Sequence, residues 1–278
     1  MCGTCGCATK GELRISDLSG AQMRPLQAAP RPVLYTNPGH HEAGPGHGPA
    51  KGRAHLHEPR GERIPLEQAV LAHNDQHAAR NRAWFAERGV LALNLVSSPG
   101  SGKTTLLEQT ILRLHATVPI SVIEGDQMTS NDADRIRAAG ARAVQINTGA
   151  GCHLEADMVA QAMIELEPQA GSILMIENVG NLVCPAMFDL GERLKVAVIS
   201  TPEGEDKPLK YPHMFRAAGL VLINKIDLAP YVRFDEVRCR ANIAEVNPEA
   251  RVFSLSALTG EGMEAWIDWL KRMLPRPD

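Results

Sequence analysis

From residue 64 onward, apolar positions alternate between two textures. IPLEQAVLAHNDQHAARNRAWFAERG (64–89) spaces Leu66, Val70, Leu71, Ala78, Trp84 and Phe85 at roughly helical intervals and stops at Gly89, which predicts a helix. VLALNLVSS (90–98) is a short continuous apolar run, the signature of a strand buried on both faces. Runs of the same kind recur at ISVIE (120–124), AVQIN (143–147), SILMIE (172–177), KVAVIS (195–200), GLVLINK (219–225) and RVFSLS (251–256). Helix-like stretches separate them: TTLLEQTILRLH (104–115), NDADRIRAAG (131–140), LEADMVAQAMIEL (154–166), KYPHMFRAAG (210–219), FDEVRCRANIAEV (234–246) and GMEAWIDWLKRML (262–274). Strands alternating with helices predict one α/β domain, about 64–278, with a mostly parallel sheet covered by helices on both faces.

The residues before it differ in kind. Residues 25–64 are rich in Pro, Gly, His and Arg, and 40–57 holds five of the ten histidines. Such a stretch buries too little apolar surface to offset the cost of ordering it, so 8–63 is expected to be a flexible linker. Its histidines could bind metal weakly or be solvated without a role.

Composition narrows the function classes. The 278 residues carry 29 Lys plus Arg against 32 Asp plus Glu, a formal charge of −3. Without a basic field, a general nucleic-acid binder or a polybasic membrane-surface protein is not expected. No apolar run approaches the roughly 20 residues that span a bilayer, and MCGTCGC lacks the features of a secretory signal. A cytoplasmic location is expected, where clustered thiols are metal ligands more often than disulfides.

The chemistry begins after the first run. SSPGSGKTT (97–105) lies between a strand and a helix, as a phosphate-binding loop requires. Gly100 and Gly102 permit tight turning, with Ser101 between them. Lys103 can reach the β- and γ-phosphates. Thr104, followed by Thr105, offers a hydroxyl to Mg²⁺, and the helix N-terminus favours the anion. Ser97 stands where the usual motif has its first glycine. A P-loop NTPase follows. The base is read from INKID (223–227): Asp227 can accept from the guanine N1–H and 2-amino group, while Asn224 and the Lys225 stem hold the loop and cover the base. SALTG (256–260), with Ser256 and Ala257, is read as the second base-contact loop. Asp126 and Glu177 end parallel strands beside the phosphate loop, where acids bind Mg²⁺ or its waters or orient the attacking water. Gly180 would add a backbone contact to the γ-phosphate. Asp132 and Asp134 are read as first-turn helix charges.

Six cysteines remain to be placed. Cys2, Cys5 and Cys7 form C-x-x-C-G-C on an open terminus. Three thiolates plus the terminal amine suit square-planar Ni²⁺ or tetrahedral Zn²⁺, and spacing does not choose between them. Cys152 and His153 follow AVQINTGAG, and Cys184 follows ENVGNLV. Both loops leave strand carboxyl ends, so these three could converge near the nucleotide and let its state alter metal affinity. The alternative is two buried thiols and a capping histidine. Cys239, in a helical stretch, is read as structural or exposed.

Taken together, MCGTCGC, VSSPGSGKTTLLE, VIEGDQ, INTGAGCHLEADM, IENVGNLVCPAMFDLGE, EGEDKPLKYPHMF and NKIDL resemble the HypB family of hydrogenase maturation factors, the nickel-inserting GTPases. The resemblance covers the first seven residues and nearly all of 64–275. Ser97 looks normal for that family. The resemblance implies slow hydrolysis of GTP to GDP and phosphate, coupled to nickel delivery to the [NiFe]-hydrogenase large subunit precursor. It implies the signal-recognition/MinD class of P-loop GTPases, which dimerise around nucleotide. It further implies Ni²⁺ at Cys2, Cys5 and Cys7, Ni²⁺ or Zn²⁺ at Cys152, His153 and Cys184, Lys210 near the nucleotide, and Leu228 and Val232 at a dimer interface. The implied partners are a HypA-type nickel chaperone and, in some bacteria, a metal-binding prolyl isomerase. Two other readings compete: a nickel buffer with secondary GTPase activity, and the sister GTPase of urease maturation, which lacks the terminal cysteine motif.

Overall fold

The computed structural model describes residues 14–17, 63–126, 131–149 and 151–274. The apolar runs become strands and the periodic stretches become helices. The chain order is β1 (Arg14–Asp17), α1 (Arg63–Arg88), β2 (Leu91–Ser97), α2 (Lys103–Leu114), β3 (Ile120–Asp126), α3 (Asn131–Ala138), β4 (Arg142–Asn147), α4 (Ala156–Leu166), β5 (Ile173–Glu177) and α5 (Cys184–Met187). Then come β6 (Leu194–Ser200), α6 (Lys207–Lys210), α7 (Pro212–Ala217), β7 (Ala218–Asn224), α8 (Ala229–Val232), α9 (Glu236–Val246), β8 (Arg251–Ser254) and α10 (Met263–Met273). Three-residue 3₁₀ turns at Thr201–Glu203 and Ile226–Leu228 follow β6 and β7.

One sheet holds the strands in the order β1-β4-β3-β5-β2-β6-β7-β8. All neighbouring pairs from β4 to β8 are parallel, and β1 runs antiparallel along β4. β1 falls within the segment read as a linker. Only its Ile15 is apolar, so periodicity gives it no signal, and the edge of β4 supplies the backbone partners it needs.

The two-residue period of each strand splits the core into layers. Leu91, Leu93 and Leu95 of β2 pack with Leu106 and Ile111 of α2, Ile136 of α3 and Trp266 and Leu270 of α10. Trp266 satisfies its indole N–H by donating to Thr110 Oγ1 of α2 at 2.9 Å. On the opposite face Ala92 meets Phe85 of α1 and Val159 and Met163 of α4. Val96, Ala197 and Ile199 meet Met214 and Phe215 of α7 and Ile243 of α9.

α1 departs from expectation in an informative way. Its buried stripe is Asn74, Ala78, Asn81 and Phe85, while Val70 is exposed. The helical spacing is right, but half of the buried positions are amides. Those amides reach the functional edge. Because the strands are parallel, the loops after β2, β4, β5, β6, β7 and β8 gather at their carboxyl ends, where ligands of open α/β sheets bind.

Candidate nucleotide and metal site

The loop between β2 and α2 turns at two left-handed glycines, Gly100 (φ 76°) and Gly102 (φ 93°). At Gly102 a Cβ would lie 2.7 Å from Asn224 Nδ2, so only glycine fits both the turn and the neighbour. Lys103 opens α2 and donates from Nζ to Ser97 Oγ at 2.6 Å. Ser97 therefore gives the ammonium an acceptor, which a glycine would lack. Thr104 Oγ1 donates to Glu177 Oε1 at 3.0 Å, bringing the start of α2 to the end of β5. Gly180 packs against the same loop, where a Cβ would meet Pro99 at 3.1 Å. Ser101 Oγ is buried with no hydrogen-bond partner among the described residues.

Asn224 fastens three loops together. Its Nδ2 donates to Ser101 O at 2.9 Å, and its Oδ1 accepts from Lys225 N at 2.8 Å and Ala257 N at 3.0 Å. Lys225, left-handed at φ 61°, lays its side chain along the phosphate loop and donates to Gly100 O at 2.6 Å. Thr201 Oγ1 holds Lys225 O from the β6 side at 2.7 Å. Ser256 Oγ accepts from Thr259 N at 3.1 Å and shapes the last loop. Asp227 Oδ1 is buried without a hydrogen-bond partner among the described residues. Lys210 lies apart from this net of contacts, exposed and bonded to Asp206 at 2.7 Å, which raises its pKa.

The second cluster is as predicted in membership. Cys152 Sγ and Cys184 Sγ lie 2.9 Å apart as free thiols, and His153 Nδ1 lies 3.6 Å from Cys152 Sγ. Among the described residues these three form the group whose ligand atoms all fall within 4.8 Å of one another. Cys184 is buried at the start of α5, and His153 packs its ring on Phe188 at 3.9 Å. Burial lowers the His153 pKa, keeping the imidazole in the neutral form that ligates metals. Its Nε2 faces Glu155 Oε1 at 3.7 Å, and burial, Asp157 and an opposing His73 set the raised pKa of Glu155.

Several expectations fall outside the described residues. They are Cys2, Cys5 and Cys7, the histidines of 40–57, and the side chains of Asp126 and Asp132. Asp134 pairs with Arg137. Cys239 is fully buried, so the structural alternative holds. Other residues escaped the sequence reading. Glu124 is buried and sits in register with Glu177, on the α2 side of the sheet. Asn94, in the middle of an apolar run, was itself a signal, because a buried amide there needs a partner.

A family profile described as the CobW/HypB/UreG nucleotide-binding domain matches residues 91–254. The hydrogenase maturation factor HypB of Escherichia coli K12 is 49% identical, with 98% of each chain covered. The chain belongs to the HypB family of hydrogenase maturation factors. It is a P-loop GTPase. Among solved structures, HypB of Archaeoglobus fulgidus matches with a TM-score of 0.69 at 40% identity, over 73% of this chain and all of that one. HypB of Helicobacter pylori in complex with nickel matches with a TM-score of 0.67 at 37% identity, over 74% of this chain and 99% of that one. No helix among the described residues is long and apolar enough to cross a membrane.

Proposed function

We propose that this HypB-family chain is a GTP-switched nickel metallochaperone acting in the cytoplasm. It would load Ni²⁺ and release it toward the [NiFe]-hydrogenase large subunit precursor, with a HypA-type chaperone, and in some settings a metal-binding prolyl isomerase, as partner. The division of labour would be a terminal metal motif (1–7), a linker (8–63) of which Arg14–Asp17 joins the sheet edge, and a GTPase domain (64–278). The observation that supports the proposal is the meeting of Cys152 and His153, from the loop after β4, with Cys184, from the segment that leaves β5 at Glu177, itself bonded to Thr104.

Gly100, Ser101, Gly102, Lys103, Thr104 and Thr105 would wrap the phosphates, with Lys103 neutralising the β/γ charge. Asn224, Lys225, Asp227, Ser256 and Ala257 would hold guanine, and Lys210 would approach the nucleotide when α6 closes. The hydroxyl of Thr104, 3.0 Å from Glu177 Oε1, fits a Mg²⁺ site completed by Asp126 and by waters held by Glu177. When bound, the ion would neutralise charge on the β- and γ-phosphate oxygens. Glu177 and the backbone at Gly180 would orient water toward the γ-phosphorus. Its oxygen bonds to phosphorus as the bond to the β,γ-bridging oxygen breaks, giving GDP and phosphate.

Nickel is the cargo. Two thiolates and a neutral imidazole leave room in its shell for water or for ligands of a second copy. Zn²⁺ could occupy the same donors. GTP would close a homodimer through α8 and the residue before it, where Leu228, Tyr231 and Val232 are exposed. The test is transfer. Full-length chain carrying Cys2→Ala, Cys5→Ala and Cys7→Ala is loaded with Ni²⁺ and GTP, and metal passing to a chromophoric chelator is timed. Release that accelerates with GTP turnover supports the proposal, and identical release with a non-hydrolysable analogue opposes it.

A further inference from the structure

Four backbone groups of residues 152–156, the stretch that carries Cys152 and His153, bond to asparagine side chains from two parts of the fold, α1 and the segment after β5. Asn181 Nδ2 donates to Cys152 O at 3.3 Å, and Asn178 Oδ1 accepts from Leu154 N at 3.2 Å. Asn74 Oδ1 accepts from Ala156 N at 2.9 Å, and Asn81 Nδ2 donates to Ala156 O at 2.7 Å. The two α1 amides also reach beyond it: Asn81 Nδ2 donates to Leu190 O at 3.0 Å and Asn74 Nδ2 to Asp189 O at 2.8 Å. Thus four loop groups are held directly, and the two α1 amides also pin the turn before β6.

These amides are not equivalent. Asn74 and Asn81 project from α1, and their side chains bond to Ala156, Asp189 and Leu190. Asn178 follows Glu177 directly. The strand pleat sends the two side chains to opposite faces of the sheet. Glu177 accepts from Thr104 on the α2 face, while Asn178 reaches Leu154 N on the α4 face. The Asn178 backbone is fixed by its N–H donating to Leu95 O at 3.0 Å, and its Nδ2 donates to Asn94 Oδ1 at 3.2 Å. Behind Asn94, Glu192 Oε1 accepts from Asn94 Nδ2 at 3.1 Å and from Lys195 Nζ at 2.6 Å. Asn94, Asn178, Glu192 and Lys195 are all at least nine-tenths buried, so losing one partner leaves others unsatisfied.

We infer that Asn178 is the positioning residue that carries nucleotide state from Glu177 to the metal loop, whereas Asn74 and Asn81 brace that loop without sensing nucleotide. The inference rests on the nickel-switch reading above. A displacement of Glu177 at the phosphate would turn the end of β5 and move the acceptor that holds Leu154 N, one residue from His153. The anchored Asn94–Glu192–Lys195 row is the fixed side against which Asn178 moves.

The experiment measures Ni²⁺ dissociation constants with GDP and with a non-hydrolysable GTP analogue, in the full chain lacking the three terminal thiols. In the parent the two constants differ, by about fivefold or more if the coupling is of ordinary allosteric size. In Asn178→Ala their ratio falls to about one while affinity for the GTP analogue stays within about threefold. Asn178→Asp keeps the acceptor for Leu154 N and retains most of the ratio. Asn74→Ala weakens nickel binding about tenfold in both states and leaves the ratio unchanged, as expected for a support of metal ligands. If Asn178→Ala does not fold, Asn178→Ser carries the same expectation, since its hydroxyl is too short to span to Leu154 N. An unchanged ratio in Asn178→Ala or Asn178→Ser, or collapse of the ratio in Asn74→Ala as well, overturns the inference alone. Equal constants in the parent overturn the switch reading and the inference with it.

Discussion

Asp227 and Cys239 show how burial decides what a single side chain does. The Asp227 oxygen is buried without a hydrogen-bond partner among the described residues, yet it lies in the motif that would face guanine. Replacing it by Asn substitutes an amide donor for an acceptor against two guanine N–H groups. Asp227→Asn should therefore weaken GTP binding by about a hundredfold, and a titration with labelled GTP and xanthosine triphosphate should show the loss for GTP only. Cys239 has no such partner in prospect. Burial, with Glu205 and Glu236 adding to it and Arg240 opposing, pushes its thiol up to about 12 from an ordinary 9.0. The unfolded thiol releases its proton first, so between those values the unfolded state binds fewer protons and stability falls as pH rises. Alkylation mapped by peptide mass at pH 8 should modify Cys152 and spare Cys239. Cys239→Ala should flatten the loss of thermal stability above pH 9.

At the scale of elements, the strands and long helices were legible because each is a local pattern. Apolar runs without alternation fit a sheet buried on both faces, and the phosphate loop needs only neighbours in sequence. The one-turn helices at 184–187, 207–210 and 229–232 were not legible. Each has Pro at its first or second position and is too short to show a period. The helix expected from residue 154 starts at Ala156, because 152–155 is held as a loop by Asn178 and Asn74. The partners of Asn74, Asn81 and Asn94 were hidden for a different reason. They lie 75 to 115 residues away, and an amide names no partner in advance. Gly191 shows how tightly α1 is seated there. It is left-handed at φ 88°, and a Cβ would meet Ala78 O and Asn81 Cβ at 2.6 Å. Gly191→Ala should cost about 2–4 kcal/mol, through αL strain and overpacking, in a denaturant titration. Gly102→Ala should instead abolish nucleotide binding by driving Asn224 from the phosphate loop.

For the whole molecule, the sheet order sets β2, which leads into the phosphate loop, between β5 and β6, so the segment leaving β5 adjoins that loop through Glu177 and the Cys152 thiol through Cys184. That arrangement could not be read from the motifs, which lie in order along the chain but not in order across the sheet. Leu228, just before α8, and Val232 at its end are partly exposed beside the largely exposed Tyr231, an apolar patch that the proposed dimer would cover. Leu228→Glu with Val232→Glu should leave the chain monomeric with a GTP analogue in sedimentation velocity, while GDP binding stays within about twofold because neither side chain is placed at the nucleotide. The central claim is that one set of segments serves both triphosphate and metal. Its most direct measurement is the Ni²⁺ dissociation constant of the full chain without its terminal thiols, determined by chelator competition in GDP and in a non-hydrolysable GTP analogue. The account predicts constants at least about fivefold apart that both weaken severely in Cys152→Ser and Cys184→Ser. Equal constants in the two nucleotides would contradict it.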